Sequence, residues 1–217
     1  MFGPAPGHGN YPNKLRTPPF VDRRLWRASL GGIVLVLVAG LALIVALALG
    51  WHSPRPTRPP DWQAPGLPVR LVAAPDEVAV SLLGHSVDNF TLEGEVLPLA
   101  GPDFNGYGLV YRAQDTNHYT VFAIGSDGYY AVLRVTGDEE TVLVDWQQFP
   151  HVRRGRQPNR LRVTCAGPAC RFYINDEYAT TVEDSTWLVG DVGLWVRSFG
   201  DEAVTAQFLN VRTWVEE

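Results

Sequence analysis

Between Leu30 and Gly50 the chain runs Leu-Gly-Gly-Ile-Val-Leu-Val-Leu-Val-Ala-Gly-Leu-Ala-Leu-Ile-Val-Ala-Leu-Ala-Leu-Gly, without one charged or strongly polar side chain. About 20 such residues in a helix, at about 1.5 Å each, match about 30 Å of hydrocarbon with every backbone amide satisfied inside the segment. The pattern predicts a single transmembrane helix over 29–51. Beyond it the period changes to two, with turn residues every 8 to 12 positions, the pattern of an antiparallel sandwich or barrel. In Phe90–Val96 the apolar Phe90, Leu92 and Val96 alternate with Thr91, Glu93 and Glu95, which predicts a strand with one wet face. Tyr107–Arg112 and Tyr119–Ile124 flank a Gln-Asp-Thr-Asn turn, and Ser126-Asp127-Gly128 supplies turn residues leading into Tyr129–Val135. Pairing about Asp127 and Gly128 sets Phe122 opposite Leu133 and Ile124 opposite Ala131. Further strands are predicted at 141–147, 159–165, 170–175, 177–183, 190–198 and 203–214, and no helix after the apolar run.

Charge orients this layout. Lys14, Arg16, Arg23, Arg24 and Arg27 precede the run and only Arg55 and Arg58 follow it closely, so the N-terminus is expected in the cytoplasm. Ala46-Leu47-Ala48 has the small residues of a signal cleavage site, and a cleaved signal is the competing reading. The length of the run and the leader ahead of it favour an uncleaved anchor in the cell membrane, with the C-terminal domain extracytoplasmic. The expected organisation is a disordered tail over 1–28, the helix over 29–51, a Pro-rich linker over 52–74 and a β-sandwich over 75–217. From residue 69 onward 11 Arg stand against 21 Asp or Glu, a net of −10. Such a domain repels polyanions, which argues against nucleic acid as a partner.

The two cysteines occupy one predicted hairpin, Asn159–Ile174. With Ala166–Ala169 as the loop, Cys165 faces Cys170, Val163 faces Phe172 and Leu161 faces Ile174. That register predicts a cross-strand disulfide in an oxidising compartment, ahead of a zinc pair or a redox dithiol.

The runs Tyr119–Leu133, Pro158–Val163, Phe172–Glu177, Gly190–Leu194 and Phe208–Val211 resemble the concanavalin A-like, laminin-G-like jelly-roll superfamily. The chain is most similar there to bacterial extracytoplasmic domains described as 3-keto-disaccharide hydrolase-like. The resemblance spans about 75–217 and implies an all-β, antiparallel jelly-roll sandwich behind the membrane helix. It transfers no catalytic residue.

Chemistry is sparse. Glu93 and Glu95 alternate as the carboxylates of a glycosidase would, but with Gly94 between them. The Asp103-Phe-Asn105 and Asp115-Thr-Asn117 loops offer oxygen ligands of the kind calcium takes, although turns use the same residues, and no cofactor is expected. His85, His118 and His151 are scattered, without metal spacing. Arg153, Arg154, Arg156, Arg160 and Arg162 form a basic cluster suited to carboxylates or to a solvated strand face. Aromatic and Arg side chains remain as the candidate ligand-binding set. Tyr119, Tyr130 and Arg134 are expected on the hairpin face opposite the core, joined by Tyr107, Tyr111, Arg112 and Trp146. Flat rings stack on sugar faces while Arg and carboxylates bond hydroxyls. The expected function is binding of carbohydrate or envelope material without catalysis. The alternatives are an accessory subunit joined to partner membrane proteins, and a glycoside hydrolase-like enzyme.

Overall fold

The apolar run as far as Ala48 lies in helix α1, Arg23–Ala48. A computed structural model of the chain describes residues 3, 23–48 and 56–216, so expectations for the rest of 1–22 and for 49–55 lie outside the described residues. Side chains of α1 are described over 32–45, and all of them are exposed, Leu35 at 70% and Val36 at 68%. No apolar stripe is turned inward, unlike the helix of a globular core. Among the described residues no helix is long and apolar enough to cross a membrane. The chain forms two units, Met1–Leu49 and Gly50–Glu217.

In the second unit the period-two segments become antiparallel strands. They are β1 Trp62–Gln63, β2 Val69–Ala73, β3 Val78–Val87, β4 Phe90–Ala100, β5 Asn105–Asp115, β6 His118–Ile124, β7 Tyr129–Thr136, β8 Glu139–Gln148, β9 Asn159–Ala166, β10 Ala169–Ile174, β11 Glu177–Glu183, β12 Gly190–Ser198 and β13 Val204–Val215. One sheet has the order β1-β13-β4-β9-β10-β11, with β2 also on β13; the other runs β3-β12-β5-β6-β7-β8. Their facing sides share one core that includes Phe90, Leu92, Leu109, Phe122, Leu161, Phe172, Leu194 and Phe208. A Cβ on Gly94 would stand 2.8 Å from a Leu109 methyl, so the sheets approach most closely where this strand lacks a side chain. Cys165 and Cys170 are cross-strand partners and form the disulfide, with their Cα atoms 4.1 Å apart.

Two differences from the sequence reading have simple causes. The sandwich begins before residue 75, because β1 and β2 pair with β13 inside the stretch read as linker. Between the prolines, Asp61 and Ala64 keep amides that donate to Thr213 O and Val211 O, while Trp214 Nε1 donates to Arg58 O at 2.9 Å. The far end of the Pro-rich segment is therefore bound along β13. The second difference is register. The β6–β7 loop holds three residues, Ser126–Gly128, closed by Gly125 N donating to Tyr129 O, with Gly128 at φ +97°. Phe122 consequently pairs with Val132, and Ile124 with Tyr130. A one-residue slip exchanges the faces of a strand, so Tyr130, Val132 and Arg134 turn toward the facing sheet while Ala131 and Leu133 turn outward.

Candidate functional site

The outward face of the six-stranded sheet is unusually apolar. Val110, Tyr119, Val121, Ala123, Ala131, Leu133 and Trp195 form a second buried cluster there, flanked by Val80, Leu82, Val135 and Trp146. Two large rings roof it: Trp195 Nε1 donates to Tyr119 Oη at 3.2 Å. Gly106 makes room, since a Cβ at that position would lie 2.7 Å from the Trp195 ring. Arg197 bonds Glu140 at 2.6 Å, joining β12 to β8.

Two cavities adjoin this roof. One of about 390 Å³ is lined by Val80, Asn117, Tyr119, Val135, Glu140 and Arg197, among others. A second, of about 410 Å³, is lined by Phe104, Asn105, Asp127, Tyr129, Trp146 and Phe199. Arg197 lines the first, and its guanidinium lies 4.8 Å above the ring of Phe199, which lines the second. In the second cavity Phe199 meets Phe104 at 5.0 Å and Trp146 edge-on at 5.7 Å. Phe104 is 63% exposed, a large ring left in water beside that cavity.

Loops and strand ends deliver these groups. Phe104 precedes β5, Phe199 follows β12, Tyr129 opens β7, Trp146 lies on β8, and Asp127 sits in the β6–β7 turn. Asn105 holds the loops in register: its Nδ2 donates to Pro102 O and to Ser126 Oγ, and its Oδ1 accepts from Ser126 N. Asp127 Oδ1 accepts the Tyr129 amide at 3.2 Å. Burial raises the Asp127 carboxyl above the usual carboxylate range, with the nearby Asp103 charge adding to the rise against the Tyr129 amide and Arg154.

Of the seven residues proposed from sequence, two reach this outward face. Trp146 lines the aromatic cavity and Tyr119 belongs to the roof. Tyr107, Tyr111 and Tyr130 point into the inter-sheet core instead, each no more than 3% exposed. Burial pushes the Tyr107 hydroxyl up to about 12 and raises that of Tyr111 as well. Tyr111 packs between Phe90 and Phe172, and Tyr130 accepts from Gln147 Nε2 at 2.9 Å. Arg112, buried with φ 54°, donates to Gly167 O and Asp184 O. Arg134 bonds the Asp184 carboxylate at 2.8 Å and Thr186 Oγ1 at 2.7 Å. These two arginines join β5 and β7 to the chain around β10 and β11 rather than facing a ligand.

The other candidates are accounted for by local bonds. Glu93 is 5% exposed and accepts from Arg212 Nη2 at 2.6 Å, and Glu95 lies opposite Arg160. Within the arginine cluster Arg160 pairs with Asp176 at 3.2 Å, and buried Arg162 lies 4.4 Å over the Tyr173 ring. Asp115 accepts from the Asn117 amide and His118 Nδ1, closing its own turn. Among the described residues no group of three or more His, Cys, Asp or Glu side chains is gathered to hold a metal. Phe104, Asp127, Tyr129 and Phe199 went unrecognised as a site in the sequence because each is a single residue at an element end, with no shared period.

No protein-family model and no curated protein matches the chain. Solved structures do. A carbohydrate-binding module from Bacillus subtilis superposes with a TM-score of 0.57 at 18% identity, covering 70% of this chain and 93% of that one. A functionally unknown protein from Saccharomyces cerevisiae gives 0.51 at 15% identity, over 73% and 94% of the two chains. A galectin from Caenorhabditis elegans gives 0.45 at 12%, over 70% and 94%. At these identities the likeness to the first two is one of fold, and the fold it supports is the two-sheet antiparallel β-sandwich.

Proposed function

We propose that this chain is a membrane-anchored, extracytoplasmic carbohydrate-binding protein that acts by contact rather than catalysis. The observation that carries the reading is the aromatic cavity of Phe104, Tyr129, Trp146 and Phe199 with Asp127 beside them. Rings of this kind cover the apolar face of a pyranose while a carboxylate orients its hydroxyls. The carbohydrate-binding module among the similar folds supports the same reading. A non-catalytic role is supported by the lining: Asp127 is its one carboxylate, whereas most glycoside hydrolysis uses two flanking the bond. The anchor rests on the uncharged apolar run Leu30–Gly50 of the sequence, about 20 residues long. The test is binding of the full chain in detergent to a broad glycan panel. Saturable binding that is lost in Phe104→Ala and Trp146→Ala is expected; silence across the panel, or binding indifferent to both substitutions, refutes the site. Resistance of the full chain to alkaline extraction from membranes tests the anchor.

A further inference from the structure

The lining of the aromatic cavity has a sign. Four rings surround it, and the faces of aromatic rings attract cations through their quadrupole. The one charged lining group is Asp127, and no Lys, Arg or His lines the cavity among the described residues. Asp127 Oδ1 is bonded by the Tyr129 amide. Asn105, the other polar lining residue, has its amide committed to Pro102 and Ser126.

The cations nearby are placed elsewhere. Arg197 is bound to Glu140 at 2.6 Å and lies on the Phe199 ring. Arg154 is exposed and crosses the turn at Gly128, where a Cβ would stand 2.6 Å from its Nε. Asp103 adds negative potential near Asp127. A half-buried carboxylate among ring faces, in a domain with an acidic excess, is matched by a ligand that brings its own positive charge.

We infer that this cavity selects glycans carrying an unacylated amino group, with the sugar ring against Phe104 and Trp146 and its ammonium group between Asp127 and the ring faces. This rests on the carbohydrate reading above and narrows it to a ligand class. A neutral N-acetylated sugar offers the same ring face for stacking but loses the ion pair and the cation–π attraction. Arg154 acts on the Asp127 carboxylate from outside the cavity lining, and a bound ammonium adds a cation inside it that offsets the burial of that carboxylate.

The experiment is isothermal titration of the full chain, in detergent micelles at pH 6, with the β-1,4-linked hexamer of glucosamine and with that of N-acetylglucosamine. A mildly acidic pH keeps most of the sugar amines in the ammonium form, as it does a peptide α-amino group, which titrates near about 7.7. The expected result is binding of the glucosamine hexamer on the order of tenfold tighter than the acetylated one. In Asp127→Asn the preference should fall to about threefold or less, because the amide keeps the Oδ1 acceptor for Tyr129 and removes the ion pair, leaving only the cation–π attraction of the rings. Phe104→Ala, at an exposed position, should weaken both ligands without disturbing the fold. Equal affinities in the unaltered chain overturn the inference and leave the carbohydrate reading standing. A preference undiminished in Asp127→Asn also overturns it, since it then does not come from the carboxylate of this cavity. Failure to bind either hexamer in this assay removes the inference, whereas silence across the wider panel is what removes the carbohydrate reading.

Discussion

Removing the charge of Glu93 separates a structural carboxylate from a catalytic one. Glu93 is 5% exposed on the outward face of β4, and its Oε1 accepts two bonds from Arg212, at 2.6 Å from Nη2 and 3.2 Å from Nε. Across the next strand pair lies Arg162, 1% exposed, over Tyr173 and 3.7 Å from Asp176. The row therefore alternates Arg212, Glu93, Arg162 with little water to screen it. Hydrogen bonds to charged groups contribute about 1.5–3 kcal/mol, and breaking a buried pair costs about 3–5 kcal/mol. Arg212 is 38% exposed and recovers hydration, while Arg162 keeps Asp176 and Tyr173, which places Glu93→Ala at about 2–3 kcal/mol. For a domain of this size that is a fall in Tm of about 4–12 °C. Urea denaturation followed by tryptophan fluorescence should show a lower midpoint at unchanged slope. Glu95→Gln, half-buried and without an ion pair of its own among the described bonds, should change stability by less than about 1 kcal/mol. A loss below about 1 kcal/mol in Glu93→Ala would refute the argument, since the row would then be carrying no net electrostatic stabilisation.

Three further outcomes follow from the same structure. Replacing Cys165 and Cys170 by alanine frees a short loop, and the chain-entropy relation for about six residues gives a loss of about 2 kcal/mol, measurable as a lower urea midpoint that reducing agent does not lower further. Burial tends to raise the Asp184 carboxyl, but the Thr186 hydroxyl and amide and the Arg134 guanidinium outweigh it and leave it lowered. A lowered folded value gives stability that is present above the ordinary carboxylate range and is lost as pH falls through the folded value, so acid unfolding below about pH 4 should be shallower in Arg134→Met than in the unaltered chain. Gly106→Val should force the Trp195 ring off the outward face at a cost of about 1–3 kcal/mol, seen as a red shift in tryptophan emission together with a lower Tm.

Much of the sandwich is legible because antiparallel strands write their faces into the chain at period two. The hairpin around Cys165 and Cys170 is read in its correct register, since its two β-strands are apolar at matching positions and the cysteines fix the pairing. The β6–β7 hairpin is not, because Tyr129–Leu133 is apolar or aromatic on both faces: one face meets the inter-sheet core and the other the cluster under Trp195. Alternation cannot choose a register where neither face is polar, and the length of the loop decided it. That single choice moved Tyr130 and Arg134 from a presumed binding face to the interior. Glu93 shows the converse, a charged residue read as solvated that its cross-strand arginine allows to be buried.

By itself the sequence determined the apolar run and the strand succession from Phe90 onward, because each is a local property of side-chain pattern and backbone satisfaction; β1, β2 and β3 Val78–Val87 are not read as strands. It also determined the disulfide partners, which one hairpin brings together. The tertiary structure alone decided the aromatic cavity. Phe104, Asp127, Tyr129, Trp146 and Phe199 come from separate loops and strand ends, and only the order β12-β5-β6-β7-β8 gathers them at one end of a sheet. Nothing in a short window of sequence records which distant strand ends become neighbours, for strand order is set by the burial of the whole core.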